Sequence, residues 1–151
     1  MKIILDEWIY YFLKDRTKCE DTSDFLNKVM EKCDKLIFKT NSPLINKIWK
    51  LSKESQNWIP NQRALVKIFF GSFLKNSKKC ELLDQEEIKP LPQKISSTVP
   101  RKDIYLTEIV FTLQNGLLIT TDRKLKNTLP DSIKPKIKLI EEFLPQYIRD
   151  N

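Results

Sequence analysis

The sequence predicts an α/β fold built on a mainly parallel sheet. Short apolar runs alternate with segments of helical spacing along the whole chain, and those runs are continuous in apolar residues. Strands covered by helices on both faces have that pattern, whereas a half-exposed antiparallel strand alternates polar with apolar. With 151 residues the chain is one domain, spanning 1–151, with enough length for a real core and no internal repeat.

"KIIL" (2–5) is the first strand, and "DEWIYYFLKD" turns to helical spacing with Trp8, Tyr11 and Phe12 at intervals of three and four. The polar cluster Asp21, Thr22, Ser23 and Asp24 is placed to cap a second helix over about 25–32. "KLIFKT" is the second strand, followed by a helix with Ser42 as N-cap and Pro43 at its first position. Trp58-Ile59-Pro60-Asn61 breaks that helix and opens another over 62–75, and "CELLD" is a short third strand. Residues 85–100, with Pro90, Pro92 and Pro100, read as a long loop over one edge of the fold. "RKDIYLTEIVFTLQNG" is a helix with Gly116 at its C-cap position, "LLITT" a buried strand and "DRKLKNTL" a short helix. "KIKLIEEFLPQYI" supplies the last strand and last helix.

Composition narrows the chemistry. Histidine is absent, which removes the usual general base and every Ser-His or Cys-His nucleophile pair. The three cysteines, Cys19, Cys33 and Cys80, lack C-x-x-C spacing and suggest neither a zinc site nor a disulfide framework. An enzyme of this composition works through carboxylates, lysines or a metal held by oxygen ligands. The formal charge of +7 favours polyanionic partners, nucleic acid foremost, and is also compatible with a lysine-rich proteome. No apolar run approaches the roughly 20 residues of a spanning helix, and Asp6 and Glu7 interrupt the N-terminal one, so the expected location is cytoplasmic, with no membrane partner.

Three carboxylates stand at element boundaries. Asp6 follows the first strand, Asp122 follows "LLITT", and Asp103 lies in the first turn of the helix leading into that strand. Helix and strand run antiparallel, so the start of one lies at the end of the sheet where the other finishes. Asp103 and Asp122 can meet there, and Asp6 joins them if its strand is a neighbour. Asp103 or Asp122 alone reads as a helix cap, whereas Asp6 has no obvious structural need; together the three would repel one another unless one stays protonated or a divalent ion neutralises them. Hard oxygen ligands suit Mg²⁺ or Mn²⁺, which activate water and clamp both oxygens in phosphodiester hydrolysis.

In "IILDEW" and "RKDIYLTEIVFTLQNGLLITTDRKL" the chain resembles the PIN-domain family of metal-dependent nucleases. The resemblance implies a three-layer α/β/α sandwich and a metal-dependent endoribonuclease acting on single-stranded RNA. It also implies a place among toxins of toxin–antitoxin pairs or RNA-maturation factors, with an antitoxin, another protein or a second copy of the chain as partner. On this pattern Asp6, Asp103 and Asp122 are the catalytic and metal-binding acids, and Thr120 or Thr121 is the supporting hydroxyl. Two positions depart from it. Glu7 and Trp8 follow the first aspartate where the family usually has Asn two residues on, and "SPLINKIWK" offers Asn46 and Lys47 where a second acid is expected. Glu7 substitutes for that acid, or Asn46 serves as a weaker ligand, or metal affinity is reduced. A PIN-like domain that binds RNA or protein without cutting is the alternative. Arg101, Lys102, Arg123 and Lys124 are candidates for holding RNA phosphates, and each singly reads equally well as solvated surface. Trp8 reads as core before base stacking, and Glu108 as surface.

Overall fold

The computed structural model describes residues 1–150. Its strands β1 (Lys2–Leu5), β2 (Lys35–Lys39), β3 (Cys80–Leu83), β4 (Gly116–Thr120) and β5 (Ile137–Leu139) form one all-parallel sheet in the order β3-β2-β1-β4-β5. Side chains alternate across each strand, so β1, β2, β3 and β4 serve two cores, while β5 turns Lys138 to solvent. Ile3, Leu5, Leu36, Phe38 and Ile119 enter one cluster, with residues of α1 (Trp8–Lys14), α2 (Cys19–Glu31), α3 (Pro43–Glu54), α4 (Pro60–Ile68) and α8 (Ile140–Arg149). Ile4, Ile37, Leu118 and Ile137 enter the other, with α6 (Ile104–Thr112) and α7 (Arg123–Thr128). Helices therefore cover both faces of an α/β fold, as the uninterrupted apolar strands require. Among the described residues, no helix is long and apolar enough to cross a membrane.

The strand order fixes where function can sit. From β1 the chain runs outward through β2 to β3, then returns to place β4 on the other flank of β1, with β5 beyond it. Strand order reverses between β1 and β4, and the crevice beyond the carboxyl ends of those two strands is where open parallel sheets bind ligands. Leu5 pairs with Ile119 in register, which brings Asp6 level with Thr120.

Most elements lie where the sequence predicts, and the differences have local causes. The second helix begins at Cys19, not after the Asp21–Asp24 cluster. Asp15 accepts from the Thr17 amide at 2.9 Å and turns the chain early. Thr22 is buried inside the helix with its hydroxyl on the Lys18 carbonyl, while Glu20 and Asp21 supply first-turn negative charge. In α1 the buried face is Trp8, Ile9 and Leu13, and Tyr11 points to solvent. α4 continues as a π-helical stretch, Phe69–Leu74, whose wider turn buries Phe69, Phe70, Phe73 and Leu74. Residues 85–100 are not an unstructured loop. They hold a 3₁₀ turn (Gln85–Glu87) with an Asp84/Glu87 capping box and a short helix α5 (Gln93–Ser96), pinned by Ile88 and Val99 in the second core. Gly116 is not a helix C-cap: α6 ends on extended Leu113, and Gly116 opens β4. Its need is close approach, since a Cβ there would lie 2.9 Å from Leu113 Cβ and 3.1 Å from Ile4 Cδ1. Ser42 and Pro43 open α3 as expected, with the Ser42 hydroxyl accepting from the Ile45 amide at 3.2 Å.

Candidate active site

A cavity of about 300 Å³ lies at the carboxyl ends of β1 and β4, lined by Asp6, Glu7, Asp103, Thr121 and Asp122 together with Lys102. Trp8, Tyr11, Phe12 and Tyr105 form its aromatic wall. The three aspartates thus share one pocket at the strand-order switch, as the boundary argument requires. What brought them together is the adjacency of β1 and β4, which no local pattern encodes.

Each acid is held differently. Asp6 follows β1; its Oδ1 accepts from the Glu7 amide and its Oδ2 from the Thr120 hydroxyl, both at 2.6 Å. Thr120 is fully buried, and its Oγ1 also accepts from the Asp122 amide at 3.0 Å. One hydroxyl therefore links the first acid to the last, while Thr121 lines the pocket. Asp122 caps α7, its Oδ1 accepting from the Leu125 amide at 3.0 Å. Capping and pocket lining coexist, because an ionised carboxylate accepts several bonds. Asp103 is the N-cap of α6 by position, yet its side chain caps nothing, is 6% exposed, and has a buried Oδ2 without a partner.

The electrostatics follow from that burial. Removal from water pushes Asp103 up from 3.8 to about 6; Lys102 pulls the other way, while the charges of Asp6, Asp122 and Glu7 push it further up. Asp6 is raised as well, by burial first, against the opposing hydrogen bonds from Thr120 and Glu7, with Glu7 and Asp122 adding repulsion. The Tyr105 hydroxyl is raised by burial and then by the charges of Asp6, Glu7 and Asp103. The pocket is a concentration of negative charge in an otherwise basic protein.

The remaining sequence candidates are placed unevenly. Glu7 lines the pocket, and its Oε1 accepts from Lys47 Nζ at 3.2 Å. Lys47 is thus a partner of the site's fourth carboxylate, and hydrogen bonding to Glu7 raises its own pKa. Asn46 is exposed on α3, and neither it nor Glu108 lines the pocket. Trp8 is 3% exposed and gives its indole N–H to the Ile119 carbonyl at 2.9 Å, so it bolts α1 to the end of β4 rather than stacking on a ligand. Lys102 lines the pocket, whereas Arg101 and Lys124 are exposed and do not line it. The Arg123 guanidinium pairs with Glu141. Tyr11 and Tyr105 are pocket residues that sequence reasoning did not mark. Their only signal was an aromatic residue shortly after an acid, Tyr11 four residues after Glu7 and Tyr105 two after Asp103.

Among the described residues, no cluster of three or more His, Cys, Asp or Glu side chains is drawn tightly enough to form a ready-made metal cage. The donor set nevertheless suits a hard divalent ion. The carboxylates share one pocket, two of them are raised by burial and mutual repulsion, and Asp103 Oδ2 is buried without a partner. Comparison with protein-family models, with curated protein sequences and with solved structures returns no match to this chain.

Proposed function

We propose that this protein is a PIN-like endoribonuclease that hydrolyses single-stranded RNA with Mg²⁺ or Mn²⁺. The observation that carries the reading is the convergence of Asp6, Asp103 and Asp122 on one pocket at the switch between β1 and β4, with Asp103 Oδ2 buried and unpartnered. Asp6, Asp103 and Asp122 would hold the ion, with Glu7 at the margin. When bound, the ion supplies positive charge that lowers the pKa of an attacking water and offsets charge building on the phosphate. Thr120 fixes the Asp6 carboxylate through its hydroxyl and the Asp122 backbone through its oxygen. Lys102, in the pocket lining, draws the phosphate backbone toward an otherwise repulsive pocket, and the exposed Arg101 and Lys124 add positive charge outside it. Action as the toxin of a toxin–antitoxin pair belongs to this proposal, with an antitoxin or a second copy of the chain as protein partner. A small gene for a DNA-binding antitoxin beside this one would support that setting.

The test is cleavage of end-labelled single-stranded and structured RNA in Mn²⁺, in Mg²⁺ and in EDTA, with Asp6→Asn and Asp122→Asn as controls. Cleavage that needs the metal and disappears in both variants is expected. Equal absence of cleavage with metal and with EDTA, over a range of protein concentrations, would refute the reading.

A second reading rests on the Lys47–Glu7 pair, which places an ammonium where an acid would strengthen the ion site. On that reading the domain binds RNA or protein without cutting. Saturable Mn²⁺ binding that is lost in Asp6→Asn and Asp122→Asn counts against it. RNA binding without metal uptake favours it.

A further inference from the structure

We propose that Tyr11 is the base-stacking platform of this site, holding an unpaired nucleobase beside the phosphate presented to the aspartates. The inference rests on the nuclease reading and names how its substrate is recognised. Tyr11 is 56% exposed although it is a large aromatic residue, and it lines the same cavity as Asp6, Asp103 and Asp122. Its neighbours on α1 explain the exposure: Trp8, Ile9 and Leu13 take the buried face, leaving Tyr11 on the side open to the pocket. The ring is not free to wander. Tyr10 packs edge-on against it with centroids 5.3 Å apart and planes at 73°.

Cations lie against the neighbouring ring. Lys14 Nζ lies 5.1 Å and Lys47 Nζ, which is paired with Glu7, 5.8 Å from the centroid of the Tyr10 ring, and Lys102 lines the same pocket as Tyr11. An exposed aromatic ring with lysines close by is the combination with which proteins hold single strands: bases stack on the ring and phosphates meet the cations. The pocket acids supply the opposite requirement, repelling the strand everywhere except where an ion or the flanking lysines compensate. A base can lie on Tyr11 only when it has left its own stack, so a paired duplex is excluded from the platform. The ring makes no hydrogen-bond readout, so any base is accepted.

The experiment uses the full chain in EDTA, where cleavage does not compete, and a single-stranded 12-nucleotide RNA carrying 2-aminopurine at one internal position, against the same RNA in a duplex. Stacking on Tyr11 is read as quenching of the 2-aminopurine, and affinity by anisotropy of a labelled end. Tyr11→Ala is expected to weaken single-strand binding about tenfold, within the range of base–aromatic stacking, and to abolish the quenching. Tyr11→Phe keeps both, and duplex binding is weaker and the same in all three proteins. In Mn²⁺, Tyr11→Ala raises KM by a similar factor with kcat little changed. Wild-type protein that binds or cuts single strands, with Tyr11→Ala equal to it in affinity and quenching, overturns the platform and leaves the nuclease reading standing. Wild-type protein that neither binds nor cuts RNA overturns both, and specific binding of a protein ligand lost in Tyr11→Ala would reassign the ring to a protein interface.

Discussion

Asp103→Asn is expected to make the metal-free protein more stable and inactive at once. Its carboxyl is 6% exposed, has one oxygen without a partner, and is pushed up from 3.8 to about 6, chiefly by burial. A raised acid contributes stability that is fully present below its unfolded value and lost as the pH climbs through its folded value. Here that window runs from 3.8 to about 6, so at pH 7 the folded state carries the whole penalty. At about 1.36 kcal/mol per pH unit the penalty is at most about 3 kcal/mol, reduced by water reaching the open pocket. The amide removes the charge but brings N–H donors into the same dry corner, which returns about 1–2 kcal/mol of that gain. A net gain of about 1–2 kcal/mol corresponds to a rise in Tm of about 2–8 °C for a domain of this size. The assay is thermal unfolding of wild type and Asp103→Asn in EDTA from pH 4 to pH 7.5. The variant is expected to be no more stable than wild type at pH 4, to gain on it between pH 4 and pH 6, and to hold a constant lead above pH 6. Adding Mn²⁺ at pH 7 should raise the wild-type Tm and leave the variant unmoved. A variant that is less stable at pH 7 than at pH 4, relative to wild type, would refute the argument that an uncompensated buried charge is stored in this pocket.

Thr120→Val keeps the shape of the buried side chain but removes the hydroxyl shared by Asp6 and the Asp122 amide, so unfolding in urea should show a loss of about 1–3 kcal/mol and RNA cleavage should fall with it. Lys47→Met releases Glu7 from a pair in which both side chains are about 40% exposed; stability should change by less than about 1 kcal/mol, while calorimetric titration should find tighter Mn²⁺ binding. Gly116→Ala forces a methyl to within 2.9 Å of Leu113 Cβ, and denaturant unfolding should register about 1–3 kcal/mol of destabilisation despite the absence of a positive φ at that residue.

The sequence by itself determined the strands and most of the helices, though not the early start of α2 or the short α5. Continuous apolar runs such as "KIIL" and "LLITT" can be satisfied only between two helical layers, and Ser42-Pro43 encodes a helix start because the cap and the fixed φ are local. It also placed Asp6, Asp103 and Asp122 at element ends, and antiparallel packing of α6 on β4 made the second and third neighbours. Features decided by competition among several partners were not legible. Tyr11 and Trp8 have similar local spacing and both line the pocket, yet only Trp8 finds a carbonyl on β4 for its indole, so Trp8 is buried and Tyr11 exposed. Gly116 looks like a cap in sequence because the side chains of Leu113 and Ile4 that crowd it come from a helix end and a strand far apart in the chain. The adjacency of β1 and β4 is of the same kind. Hydrogen bonds between Lys2–Leu5 and Gly116–Ile119 join segments more than a hundred residues apart, and only that pairing sets Asp6 level with Thr120 and closes the acidic pocket. Local propensity writes the strands and helices, whereas the pocket exists through long-range pairing, whose free energy depends on the whole sheet.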